Sequence, residues 1–309
     1  MRNSFAAELK ELATMDERIV LLSGDIGNRL FDNFKRECPE RFFNCGVSEA
    51  NMTGMAAGMA MCGLRPITYT ITTFNTYRCL EQIRLDVCYH NLPVTIIGVG
   101  AGLSYAGLGA THQSLEDITM LRVLPNMTVI CPGDAVEVRL ALRAAVKHEG
   151  PVYIRLGKKN EPVVHKQEPL FVIGKGIIVH EGSEVCILST GNMLPVAVDA
   201  ALNLQRQGVS ARVVSMHTVK PLDVDLLKNA FANFKIITIV EEHSLQGGFS
   251  GSIAEWTVDH QPLKGRLCRI GVADKFLHGC GNQENARNMT GLTSNQISEK
   301  ILALMNQLI

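Results

Sequence analysis

Short runs of aliphatic and β-branched residues alternate with helical periodicity along almost the whole chain, the pattern of parallel α/β layers. In the first half, the runs at 18–23, 66–69, 94–98, 127–131 and 152–155 predict strands. Amphipathic segments at 5–15, 50–62, 74–90 and 135–147 predict the helices between them. Pro132-Gly-Asp134 gives the last of these a turn and an N-cap. A polar stretch at 157–169, with two prolines and neither period, breaks the rhythm. The alternation then resumes, with strands predicted at 185–189, 211–215, 236–240 and 267–271 and helices at 194–207, 223–231, 248–259 and 294–307. The strand runs are continuously apolar, as strands covered on both faces are. No internal repeat interrupts this order. The expected fold is α/β, two doubly wound domains with mainly parallel sheets at 1–160 and 173–309, joined by a linker at 161–172.

Length and charge narrow the function. The 309 residues carry 30 Lys+Arg against 30 Asp+Glu, so no basic footprint marks a nucleic-acid partner. No apolar stretch reaches the roughly 18 residues that span a bilayer. Met1-Arg-Asn-Ser-Phe runs straight into a helical pattern and lacks a signal-peptide core, which predicts a cytoplasmic protein. Nine cysteines are scattered without a C-x-x-C pair, several in apolar runs, and read as reduced core thiols.

Three clusters and one arginine could carry chemistry. Glu49 opens a segment made almost wholly of Ala, Met and Gly, so its helix is buried and its carboxyl is partly desolvated, a proton-donor candidate. A plain first-turn glutamate complementing the helix dipole is the competing explanation. The glycine-rich stretch from Gly98 to Gly109 follows a buried strand, at the edge where open α/β sheets bind ligands, and ends in Thr111-His112-Gln113. It is not a dinucleotide fingerprint. His112 is a candidate for catalysis or substrate contact, or a turn histidine bonded to backbone. Phe74 and Tyr77, three apart, share a helix face as core or as cofactor wall. Arg155 ends an apolar strand, where it needs an anion or, more simply, a salt bridge.

In order and spacing these clusters resemble the carboxy-terminal half of transketolase. Gly46-Val-Ser-Glu49 is similar to that family's G-x-x-E, Thr73-Phe74 to its aromatic pyrimidine pocket, and Ala110-Thr-His112-Gln to its T-H-Q. Cys131-Pro-Gly-Asp134, Gly150-Pro-Val-Tyr-Ile-Arg155, Val219-Lys-Pro-Leu-Asp223 and Glu241-Glu-His-Ser244 extend the resemblance to both domains. The resemblance implies a thiamine diphosphate enzyme that transfers a two-carbon ketol unit. Glu49 would hydrogen-bond the ring nitrogen of the cofactor's aminopyrimidine and so favour loss of its thiazolium proton. Phe74 and Tyr77 would line the pyrimidine pocket, and His112 would face the substrate and shuttle protons. Arg155 would hold a sugar phosphate, and Asp25 would lie near the cofactor.

One part is missing. Transketolases bind magnesium and the diphosphate through a G-D-G…N stretch in an amino-terminal domain, and Gly24-Asp-Ile-Gly27 is not that motif. The expectation is therefore one subunit of a split transketolase. A partner chain would carry the diphosphate-binding domain and most of the Mg2+ site, in an α2β2 assembly. The run Ser104-Tyr-Ala-Gly-Leu-Gly109 lacks the acidic residue usual before T-H-Q, and Gly100-Ala-Gly102 replaces a polar substrate contact. These departures point to an altered sugar or sugar phosphate, with Arg29 as a substitute anion contact. A 2-oxo acid dehydrogenase β-subunit would show paired histidines before Ser-Gln, where this chain has Thr111-His112-Gln113. Deoxyxylulose-5-phosphate synthase shares the T-H-Q and Glu but is a longer chain with an arginine before the glycine loop. A non-catalytic scaffold would show drift at Glu49, Phe74 and His112, and all three are present.

Overall fold

The computed structural model describes residues 1–307 apart from Asn28, Lys159 and Pro262. Among the described residues, twelve strands form two sheets. The first half supplies β1 (Ile19–Ser23), β2 (Phe42–Asn44), β3 (Arg65–Ile71), β4 (Thr95–Val99), β5 (Thr128–Ile130) and β6 (Val152–Leu156). The second half supplies β7 (Ile177–His180), β8 (Val185–Ser189), β9 (Ala211–Ser215), β10 (Thr218–Lys220), β11 (Ile236–Ser244) and β12 (Arg266–Val272). The larger sheet has the order β10-β5-β6-β4-β3-β1-β2 and the smaller β12-β11-β8-β9-β7. All pairings are parallel except β10 with β5 and β7 with β9. This is the expected α/β architecture with mainly parallel sheets. Strands such as Ile19–Ser23 and Val185–Ser189 are buried at every position because helices cover both faces.

β10 is the surprise. It comes from the second half yet completes the first sheet, so the two sheets do not divide where the linear sequence does. Three residues with a Lys at one end carry too little pattern to announce an edge strand. The backbone stitching continues beside it, with Cys131 N donating to His217 O and Gly191 N to Cys131 O. Short elements such as β2 and the helix Asp32–Glu37 are likewise invisible to periodicity.

The polar stretch at 157–169 has no regular helix or strand among its described residues; Lys159 within it lies outside them. It is nevertheless tacked down. Asp134 caps the helix Ala135–Ala145 through Oδ1, which accepts from Val136 N and Glu137 N, while Oδ2 accepts from Val164 N and His165 N at 2.9 Å each. The predicted helix at 74–90 is instead a composite: Thr72–Thr76 is α-helical, Tyr77–Cys79 a 3-10 turn, and Ile83–Tyr89 π-helical. All nine cysteines are free, and all but Cys45 and Cys62 are buried. Burial pushes the Cys131 and Cys186 thiols up to about 12, which leaves them inert hydrophobes. Among the described residues, no helix is long and apolar enough to cross a membrane.

Candidate functional site

Because β2, β1, β3 and β4 run parallel side by side, the segments leaving their carboxyl ends gather at one edge of the sheet. Those segments carry Glu49, Asp25, Phe74 and the glycine loop, in that spatial order. Distant parts of the sequence thus converge by topology alone.

Glu49 is the first residue of the helix Glu49–Met61 and is only 2% exposed. Its Oε2 accepts from Arg78 Nη1 at 3.2 Å. The Arg78 guanidinium, 48% exposed, also lies over the Phe74 ring at 4.3 Å from its centroid. The Phe74 ring in turn meets the His112 imidazole edge-on, centroids 5.2 Å apart, and Tyr105 packs on the same imidazole at 5.9 Å. Thr73 Oγ1 donates to Thr111 O at 2.8 Å, pinning the segment after β3 to the loop after β4. Glu49, Phe74 and His112 are therefore one contiguous cluster.

The glycine loop owes its path to specific contacts. Gly100 has φ 75, and a Cβ there would overlap the Tyr105 ring, so only glycine lets Tyr105 fold back beneath His112. His112 Nδ1 is within 2.9 Å of Thr111 Oγ1, and partial burial lowers the imidazole's pKa below its ordinary value. A neutral His112 at neutral pH can accept a proton.

The remaining candidates divide. Tyr77 is half-buried beside the cluster, but its hydroxyl donates to Glu116 Oε2 at 2.6 Å, and burial, foremost, pushes its pKa up. Asp25, at positive φ, is exposed and accepts from Asn44 Nδ2 at 2.9 Å, joining the ends of β1 and β2. Arg29 is exposed and lines a surface recess with Arg2, Lys10 and Asn33. No described contact links Asp25 or Arg29 to the Glu49–His112 cluster.

Arg155 requires a correction. As a hand for a sugar phosphate it would need free donors facing solvent, yet it is 3% exposed and committed inside the protein. Nε and Nη2 donate to the two oxygens of Asp117 at 2.8 and 3.2 Å, and Nη2 also reaches Ser114 O and Glu242 O. Tyr153 Oη donates to Asp117 Oδ2 at 2.7 Å. Burial alone would push the Asp117 carboxyl up; the Arg155 guanidinium overrides it and holds it below the usual aspartate value. The salt-bridge reading of this arginine is the one the structure contains.

Sequence reasoning missed Arg78 and Tyr105. Arg78 had a usable signal, since it stands four residues after Phe74 in a segment already suspected. Tyr105 offered none beyond being the aromatic in a glycine loop. A cavity of about 800 Å³ lies elsewhere, among Leu12, Met15, Ile19 and Val146, and touches none of the cluster. Among the described residues, no group of three or more His, Cys, Asp or Glu side chains could hold a metal ion.

Comparison with known proteins identifies the family of both domains. Residues 1–163 match the family "Transketolase, pyrimidine binding domain" and residues 174–297 match "Transketolase, C-terminal domain". The chain is 36% identical to an apulose-4-phosphate transketolase subunit of Phocaeicola vulgatus, covering 90% of this chain and 89% of that protein. It is also 36% identical to a 6-deoxy-6-sulfo-D-fructose transketolase subunit of a Clostridium species, covering 96% and 92%. A solved structure described as a split gene transketolase, inactive beta4 tetramer, superposes with TM-score 0.90 at 34% identity, covering 98% of this chain and 97% of that one. With both domains matched in order, and with likeness over nearly the whole length to proteins named as transketolase subunits, the chain belongs to the transketolase family.

Proposed function

We propose that the chain works with an amino-terminal partner subunit as a thiamine diphosphate-dependent transketolase, transferring a two-carbon ketol unit from a ketose or ketose phosphate to an aldose. The observation that carries the reading is the Glu49–Phe74–His112 cluster at the sheet edge. Its residues fit the cofactor's aminopyrimidine. A planar N–H donor, the Arg78 guanidinium, is held there between the Phe74 ring face and the Glu49 carboxylate, the two contacts an aminopyrimidine needs. When bound, thiamine diphosphate supplies the electron sink for carbon–carbon cleavage. Glu49 holds a proton at the pyrimidine ring nitrogen, and Phe74 presents the ring face that orients it. Tyr77 backs that wall through its bond to Glu116, and Asp25 stands at the same sheet edge. His112, kept neutral by burial and aimed by Phe74 and Tyr105, moves the proton of the substrate hydroxyl. The partner carries the diphosphate-binding domain and most of the Mg2+ site, in a cytoplasmic α2β2 assembly.

Two relatives equally similar to this chain are named for different sugars, one a phosphate and one a sulfonate. We therefore leave the donor and acceptor at the level of a sugar or sugar phosphate, with Arg29, and not Arg155, a candidate anion contact. A structural neighbour described as an inactive beta4 tetramer supports the need for a partner. The purified chain alone, given thiamine diphosphate, Mg2+ and ketose phosphates, is expected to show no turnover, and the reconstituted pair to show it. Turnover by the chain alone would overturn the split-site reading. Pyruvate tested in the same assay separates ketol transfer from the 2-oxo acid alternative.

The pH dependence follows from His112. Its lowered pKa means that it stays unprotonated, and active as a base, to below the ordinary histidine value of about 6.5. The acidic limb of kcat/KM for the reconstituted pair is expected below that value, and to disappear in His112→Gln. A limb above it, or one that survives the substitution, contradicts the assignment.

A further inference from the structure

The loop that bears His112 is anchored to the second domain as well as to its own. Gly102 and Ser114 close its base as an isolated bridge, each N–H donating to the other's carbonyl at 3.0 and 2.9 Å. Between them, Leu103 N donates to Glu242 Oε1 at 2.8 Å, and Gln113 Nε2 to Leu277 O at 3.4 Å. A Cβ on Gly107 would run into Gly281 O. Ser114 O and Glu242 O share Arg155 Nη2, and Ser244 N donates to Leu115 O.

Glu242 is the hub of these contacts. Its carboxylate is wholly buried, on the last part of β11, beyond the regular pairing with β12. Besides Leu103 N it takes Asn192 Nδ2 at 3.1 Å, Gln283 Nε2 at 3.0 and 3.1 Å, and Arg287 Nε. A buried carboxylate is expensive unless its lone pairs are filled and a cation is near, and here both conditions hold. The fit is tight, since a Cβ on Gly102 would come 2.5 Å from Glu242 Oε1. Glu241, the preceding residue, is buried just as deeply and does something different. Its oxygens accept from Phe249 N and Ser250 N at 2.7 and 2.8 Å, at the start of the helix Phe249–Asp259, with no described bond to the loop.

We propose that Glu242, tethered by Arg287 and Gln283, is a positioning residue that sets the register of the His112 loop, so that the second domain acts on the reaction through the loop it holds. The catalytic meaning of that position rests on the ketol-transfer reading above. Glu242 touches no reacting atom. It fixes the backbone at Leu103, and the Gly102–Ser114 bridge carries that constraint to the other end of the loop, where His112 and Gln113 lead directly into Ser114.

The test uses Glu242→Gln, which keeps the shape but places an amide where donors converge, with the milder Arg287→Lys as a second variant and Glu241→Gln as a buried control. The His112 imidazole resonance, assigned by its absence in His112→Gln, is expected to shift in Glu242→Gln and Arg287→Lys and to stay in place in Glu241→Gln. In the reconstituted pair kcat is expected to fall on the order of 10- to 100-fold, as for a small misplacement of a catalytic group, with cofactor Kd unchanged. Combined with His112→Gln, Glu242→Gln should add little further loss, since both act through one side chain. An unmoved His112 resonance in folded Glu242→Gln and Arg287→Lys, or fully additive losses, would overturn the proposal. A pair without ketol transfer would sink the functional reading instead, and the His112 resonance would still decide whether Glu242 holds the loop.

Discussion

Replacing Glu49 by Gln in the reconstituted pair is expected to lower kcat by roughly 10²- to 10⁴-fold, the usual worth of a positioned proton-transfer group, while leaving the fold intact. The two halves of that expectation come from different observations. The first rests on placement, because the carboxylate is buried at a helix start, beside the one aromatic face in the cluster that holds a planar donor. Glutamine keeps the volume and one acceptor oxygen but cannot hold the proton at a ring nitrogen. The second rests on the partner, Arg78, which is about half exposed. A pair with one solvated member contributes little to stability, about 0–1 kcal/mol, and the freed guanidinium can turn to water. The decisive measurement is hydrogen–deuterium exchange of the cofactor's thiazolium proton by NMR, with urea unfolding of the chain alongside. Exchange at the wild-type rate in Glu49→Gln would remove Glu49 from the chemistry. Slow exchange together with a shifted unfolding midpoint would mean that the substitution had damaged the fold.

That Glu49, Phe74 and His112 lie together is legible in the sequence, but only through resemblance. Periodicity locates the strands that end near them, since β1 and β4 are largely apolar runs and β3 and β6 are β-branched or aromatic at most positions. It cannot say that those strands neighbour one another, because sheet order is decided by crossovers that leave no local pattern. β10 shows the limit most clearly. Its three residues become a strand only because β5 offers an edge, so the information sits in the partner and not in the segment. Arg155 shows a different limit. A charged residue on an apolar strand announces that it needs a counter-ion, and its own neighbourhood favours a salt bridge. The resemblance pulls the other way. Asp117 lies 38 residues upstream, so only the fold shows that it supplies that charge. Arg78 is easily passed over because an exposed arginine on a helix is ordinary until a buried carboxylate is found beneath it.

The buried pair itself gives the largest stability effect. Arg155→Met is expected to destabilise the chain by about 3–5 kcal/mol, the cost of leaving one member of a buried pair unpaired. Asp117 has no surface on which to recover solvent, and Tyr153 Oη alone would remain as its side-chain donor. The carbonyls of Ser114 and Glu242 would lose the guanidinium as well, so the two domains would loosen where they meet. Asp117→Leu combined with Arg155→Met should recover part of the loss, because removing both charges also removes the desolvation cost. The pH dependence provides a further check. Arg155 depresses the Asp117 pKa below its ordinary 3.8 in the folded state, so this contribution is present above that value and is lost as pH falls through the folded pKa. In Arg155→Met the unpaired carboxyl takes up a proton more readily, so the gap between wild type and variant is expected to be widest near neutral pH and to narrow in acid. Urea midpoints at several pH values measure this directly. A variant as stable as wild type, with a raised KM confined to phosphorylated substrates, would instead return Arg155 to the role of a phosphate hand and contradict the buried pair.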